Sequence, residues 1–125
     1  MASRKKIIVV DDEDDVRLFL QDFLSDRDLQ VETAANGEDA LKKVESWRPH
    51  VVLLDVMMPG MDGLECLEKI KKKYPEVFVI MITALKDEAR IERAKKLGAY
   101  NYIVKPFSLS YLETELLKLI EEAKT

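Results

Sequence analysis

Short apolar runs alternate five times with amphipathic segments along this chain. The runs at residues 7–10, 31–34, 51–54, 77–82 and 102–104 predict β-strands, and three of them are continuously apolar, as strands buried on both faces are. Between them, Val16, Leu20, Phe23 and Leu24 fall on one helical stripe behind a run of acids, which the helix dipole favours in a first turn. Asn36 is placed to cap a second helix, with Glu38 and Asp39 in its first turn and Ala40, Leu41 and Val44 inward. Gly63 opens a third stripe of Leu64, Leu67 and Ile70, which Tyr74-Pro75 ends. Ile91, Ala94 and Leu97 form a fourth, stopped by Gly98 as a left-handed cap. The last starts at Ser108 as N-cap and carries Leu112, Leu116, Leu119 and Ile120.

Strands joined by helices through short loops and right-handed crossovers give an α/β protein with a parallel sheet and helices on both faces. The expected fold is a flavodoxin-like (βα)5 doubly wound sandwich of strand order 2-1-3-4-5. Ligands of such sheets bind beyond the carboxyl ends of the strands, at the switch point between the first and third. The residues just past the strands are Asp11 and Asp12, Asp55, Thr83 and Lys105, while the edge strand delivers Ala35 and Asn36. Topology selects these positions before their identity is considered, so four polar deliveries out of five strands mark one crevice.

Three neighbouring carboxylates repel one another unless a cation or protons neutralise them. An all-oxygen donor set suits Mg²⁺, or Mn²⁺ in its place, and disfavours zinc; His50 and Cys66 lie elsewhere in the sequence. Lys105 and Thr83 beside such an ion complete a pocket for a phosphoryl group, and Asp55, being central, is the candidate nucleophile.

Composition narrows the class further. At 125 residues the chain is expected to be one domain over 1–125 without an output domain, and 47% hydrophobic residues suffice for its core. Twenty Lys and Arg against 24 Asp and Glu give a net charge of −4, with no basic stripe for nucleic acid. One cysteine, no signal sequence and no apolar stretch of roughly 18 residues fit a reduced, cytoplasmic setting away from membranes.

Residues 7–12, 53–63, 82–84 and 102–107 (IIVVDD, LLDVMMPGMDG, ITA and YIVKPF) together resemble the receiver domain of two-component response regulators. The resemblance covers essentially the whole chain. It implies that Asp55 accepts a phosphoryl group from a phosphohistidine, and that Asp12, Asp55 and the Met57 carbonyl hold Mg²⁺ with Asp11 acting through water. It also implies that Thr83, Lys105 and the Ala84 amide bind the phosphoryl oxygens, that Lys105-Pro106 is a cis peptide, and that Thr83 and Tyr102 relay the change. The readout face would be the fourth helix, fifth strand and fifth helix. The protein would be a switch rather than a turnover enzyme.

The same resemblance assigns partner docking to Asp15, Val16, Phe19, Pro106 and Phe107, and the expected partners are a sensor histidine kinase or phosphotransfer protein and a downstream target. Receivers that dimerise through the last helix show an acidic pair before the switch tyrosine and an arginine in that helix. Tyr100-Asn101 and Glu115 stand here instead, so a monomer is expected, with dimerisation on activation as the alternative. A stand-alone regulator or phosphorelay intermediate is the favoured role. The alternatives are a receiver excised from a transcription factor or hybrid kinase, or an interaction module that is never phosphorylated. A flavodoxin is disfavoured because the acids after the first strand would repel its FMN phosphate. A haloacid-dehalogenase-type phosphatase would need an Asp two residues after its nucleophile, where Met57 stands.

Met57 and Leu85 occupy the positions, two after Asp55 and two after Thr83, where rapidly dephosphorylating receivers carry amide or acidic groups. Apolar side chains there predict a slow loss of phosphate. Introducing Met57→Asn with Leu85→Glu should accelerate phosphate release; a double variant no faster than the parent would refute steric shielding.

Overall fold

Five parallel strands, β1 (Lys6–Val10), β2 (Gln30–Ala34), β3 (Val51–Leu54), β4 (Phe78–Thr83) and β5 (Asn101–Val104), form one sheet of order β2-β1-β3-β4-β5. The structure is a computed structural model and describes residues 5–84 and 87–123. Helices α1 (Asp14–Ser25), α2 (Gly37–Trp47), α3 (Gly63–Lys73) and α4 (Glu88–Lys96) connect the strands. The last helix, α5 over residues 109–122, runs α-helical at Leu109–Tyr111, π-helical at Leu112–Leu116 and α-helical again at Leu117–Glu122. Among the described residues no helix is long and apolar enough to cross a membrane.

The period-two alternation of strand side chains divides the core into two layers. Ile8, Val10, Val52, Leu54, Val79 and Met81 pack with Ala40 and Val44 of α2, Cys66, Leu67 and Ile70 of α3, and Ala94 of α4. Ile7, Val9, Val51, Leu53, Ile80 and Ile82 point the other way, against Leu20, Phe23 and Leu24 of α1 and Leu112, Leu116 and Ile120 of α5. The inner strands β1, β3 and β4 are therefore almost wholly buried, whereas the edge strands β2 and β5 are not.

The caps follow the side-chain chemistry. Asn36 Oδ1 accepts from the Asp39 amide at 2.8 Å, and Ser108 Oγ from that of Tyr111 at 3.0 Å. Asp62 caps α3 by accepting from the Glu65 amide at 2.9 Å. Gly98 takes φ +103° just past α4, a conformation that side chains with a Cβ resist.

Several strand boundaries differ from the sequence reading: β1 and β2 begin one residue early, at Lys6 and Gln30, and β4 is shifted by one. Thr83 is the last residue of β4, not the first beyond it, because it pairs with Val104 and its carbonyl accepts from the Lys105 amide at 2.7 Å. Val77 belongs instead to the turn after α3, where its amide donates to the Tyr74 carbonyl at 3.1 Å. β5 likewise begins one residue early, at Asn101.

Gly63 positions the third helix directly against the crevice. Its amide donates to the Val56 carbonyl at 2.8 Å, and a Cβ built on it would lie 2.1 Å from the Asp55 carbonyl oxygen. Gly63→Ala must therefore displace backbone, and the expected loss is about 1–3 kcal/mol, the usual scale of overpacking. Urea denaturation should record it as a lower midpoint.

Candidate functional site

Each strand end is fixed by its neighbour before any side chain acts. The Asp11 amide donates to the Ala34 carbonyl at 3.1 Å and the Asp55 amide to that of Val10 at 3.0 Å, which places both aspartates on one rim of the sheet. Their carboxylates are then held in the same way. Asp11 Oδ1 accepts from the Glu13 amide at 2.9 Å and Asp55 Oδ1 from the Met57 amide at 3.1 Å. The second oxygens converge on the Lys105 ammonium, which donates to Asp11 Oδ2 at 2.7 Å and Asp55 Oδ2 at 3.3 Å.

Asp11 and Asp55 are 2% and 4% exposed, whereas Asp12 faces solvent. Ligand atoms of the three carboxylates all lie within 4.8 Å of one another. Burial raises the Asp55 carboxyl above the usual carboxylate range, and the Asp11 charge adds to the effect against the opposing Met57 amide and Lys105. For Lys105, burial pulls downward, but the Asp11 hydrogen bond and the charge of Asp55 prevail and hold its ammonium above the ordinary lysine value. The carboxylate oxygens and open approach beside Asp12 fit a hard divalent cation. His50 accepts from the Lys6 amide at the start of β1, and Cys66 is buried in the core, so neither joins the cluster.

The remaining sequence-derived residues are distributed as follows. Thr83 is wholly buried at the end of β4, and Ala84 is exposed beside it. Tyr102 is half-buried against the α2–α3–α4 layer, and burial raises its hydroxyl, with the charges of Arg90 and Asp87 also acting on it. The Lys105-Pro106 peptide is cis. Asp15, Val16, Phe19, Pro106 and Phe107 line, with Lys105, one groove of about 390 Å³. Met57 is 56% exposed, while Leu85 lies outside the described residues.

Three contributors were not singled out for the site from sequence. Glu13 Oε1 approaches Lys105 at 3.4 Å, Arg17 Nη1 donates to the Asp11 carbonyl at 2.6 Å while pairing with Asp14, and Gly63 seats α3 against Asp55. The Asp14–Arg17 spacing is a legible helical ion pair. Its second contact depends on the path of the loop between β1 and α1.

Comparison with known proteins agrees with this geometry. The chain is 41% identical over 122 residues to a "Probable transcriptional regulator ycf27" of Cyanophora paradoxa, covering 98% of this chain and 51% of that protein. It is 36% identical over 116 residues to "Sporulation initiation phosphotransferase F" of Bacillus subtilis, covering 93% and 94% respectively. The chain thus spans about half the length of several curated relatives and nearly all of others. A crystal structure of a CheY-like receiver domain protein from Methanospirillum hungatei superposes with a TM-score of 0.91 at 30% identity, covering 97% of each chain. The model of the response regulator receiver domain matches residues 7–117, and this chain belongs to that family.

Proposed function

We propose that Asp55 is the phosphoacceptor of a signalling switch, receiving its phosphoryl group from the phosphohistidine of a sensor histidine kinase or phosphotransfer protein. The observation that carries this reading is the Lys105 ammonium bridging two buried carboxylates at the sheet's switch point. An Asp55 carboxylate oxygen attacks phosphorus, the bond from phosphorus to the imidazole nitrogen breaks, and its electron pair returns to the donor histidine, which takes up a proton. Lys105, already within reach of Asp55, holds a phosphoryl oxygen, and Thr83 with the Ala84 amide holds others.

Asp12, Asp55 and the Met57 carbonyl would hold Mg²⁺, or Mn²⁺ in its place, with Asp11 acting through water. Bound there, the ion would neutralise negative charge that the acceptor and the phosphoryl group otherwise share. The groove beside Lys105 supports donor docking at Asp15, Val16, Phe19, Pro106 and Phe107, since it places apolar surface next to the acceptor. Tyr102 then carries the displacement of Thr83 to the face formed by α4, β5 and α5. Likeness to a phosphotransferase along nearly its whole length supports a relay role, and the longer regulators support a receiver joined to an output domain.

Incubation with acetyl phosphate and a magnesium salt should add one phosphoryl group to the intact chain, visible by mass spectrometry and absent from Asp55→Asn. A phosphoryl group retained by that variant would remove Asp55 from the role.

The raised Asp55 carboxyl has a consequence for stability. A folded-state value above the unfolded one, about 3.9, means that its contribution is greatest below that pH and is lost as pH rises through the folded value. At neutral pH the ionised group opposes folding. Asp55→Asn in metal-free protein should therefore be as stable as the parent or more so, by about 1 kcal/mol. Chemical denaturation at neutral and mildly acidic pH checks this, and the variant's advantage should shrink in acid.

A further inference from the structure

The chain has five methionines, and the four among the described residues differ in exposure. Met58 and Met81 are buried at 8% and 0% exposure and Met61 is half-buried, whereas Met57 is 56% exposed. Met57 also lies against the acceptor. Its amide donates to Asp55 Oδ1 at 3.1 Å, and Met57 is one of the residues, Asp12 and Asp62 among them, that line a cavity of about 350 Å³. A solvent-reachable thioether thereby stands in a cavity wall that also carries Val56, Met58 and Pro59 beside the two aspartates. Among the described residues the cysteine sulfur is shielded from an oxidant: Cys66 is fully buried, and burial pushes its thiol up to about 12, so the reactive thiolate is suppressed.

We propose that Met57 is a peroxide-sensitive modification site whose conversion to the sulfoxide shortens the life of a phosphoryl group on Asp55. The proposal rests on Asp55 being the acceptor. One oxygen atom passes from hydrogen peroxide to the Met57 sulfur: the S–O bond forms as the O–O bond breaks, sulfur gives up two electrons, and the peroxide is reduced to water. The side chain changes from an apolar thioether to a group with a strong hydrogen-bond acceptor. An acyl phosphate is lost when water attacks phosphorus, and the thioether is at most a weak acceptor for positioning that water. The sulfoxide oxygen supplies the acceptor beside the acceptor carboxylate, in a cavity already open to solvent. Oxidant exposure would then erase the signal without touching the phosphodonor.

The test treats the full chain with dilute hydrogen peroxide, maps added oxygen by peptide mass spectrometry, loads Asp55 with acetyl phosphate and magnesium, removes the donor, and follows phosphate release. Met57 should oxidise ahead of Met58, Met61 and Met81, and release should quicken several-fold. Met57→Leu should show no peroxide response, and unoxidised Met57→Gln should release phosphate faster than the parent. Three results overturn the proposal: Met57 spared while other methionines oxidise, Met57 oxidised with unchanged release, or equal acceleration in Met57→Leu. If the untreated parent never acquires a phosphoryl group on Asp55, the acceptor reading fails first and this proposal falls with it. Normal labelling with unaltered release defeats this proposal alone.

Discussion

The architecture of the site depends on one ammonium group. Asp11 and Asp55 are brought together by strand pairing, and two like charges about 4 Å apart repel by about 4 kcal/mol at an effective dielectric of about 20. Hydrogen bonds to charged groups contribute about 1.5–3 kcal/mol each, so the two backbone amides that donate to the carboxylates offset much of this repulsion but bring no positive charge. Lys105, held above its ordinary protonation range by these acids, supplies the missing charge from a third strand. Its place at the end of β5 ties that edge strand electrostatically to β1 and β3, which it does not touch in the ladder. On the proposed assignment, a phosphoryl group on Asp55 would meet a cation already engaged with that carboxylate.

Most of this arrangement was legible in the sequence because topology and chemistry point the same way. Continuous apolar runs marked β1, β3 and β4, and reading the residue after each strand found Asp11, Asp12, Asp55 and Lys105. What escaped the sequence depends on tertiary contact. Thr83 sits within the ladder because the Lys105 amide extends pairing one residue further, an effect invisible in an apolar pattern that ends at Ile82. Gly63 reads as a helix start, and only the approach of the Asp55 carbonyl shows why no side chain fits there. The π-helical turn in α5 keeps Leu112, Leu116 and Ile120 buried, so the apolar stripe remains correct while the backbone beneath it departs from α geometry.

Register places the two proposed switch residues on one side of the sheet. Thr83 pairs with Val104 and Met81 with Tyr102. Alternation then puts Thr83 and Tyr102 on the same side of the sheet, as diagonal neighbours. That side is the α2–α3–α4 layer, where Tyr102 packs and where the charges of Arg90 and Asp87 on and before α4 reach it. Ile103 points into the opposite layer with α1 and α5. If Thr83 moves inward as proposed, the layer holding Tyr102 would feel it first.

The opposite pole of the sheet is held by a separate set of side-chain contacts. There the Lys71 ammonium donates to the Pro75 and Val77 carbonyls at 2.7 and 2.8 Å, and Lys5 donates to those of Ile120 and Glu121 at 2.7 and 2.9 Å. His50 Nδ1 accepts from the Lys6 amide at 2.9 Å, and burial with the nearby charges of Lys5 and Lys6 holds the imidazole below its usual range, which preserves it as an acceptor. Tyr100, edge-on to Phe78, donates to Glu122 at 2.8 Å. These contacts join loops, strand starts and the end of α5 through side chains that no phosphoryl group touches. With the amino-terminal ends of the inner strands tied in this way, charge added at the proposed acceptor would be taken up more readily by the carboxyl-terminal loops than by the strand starts.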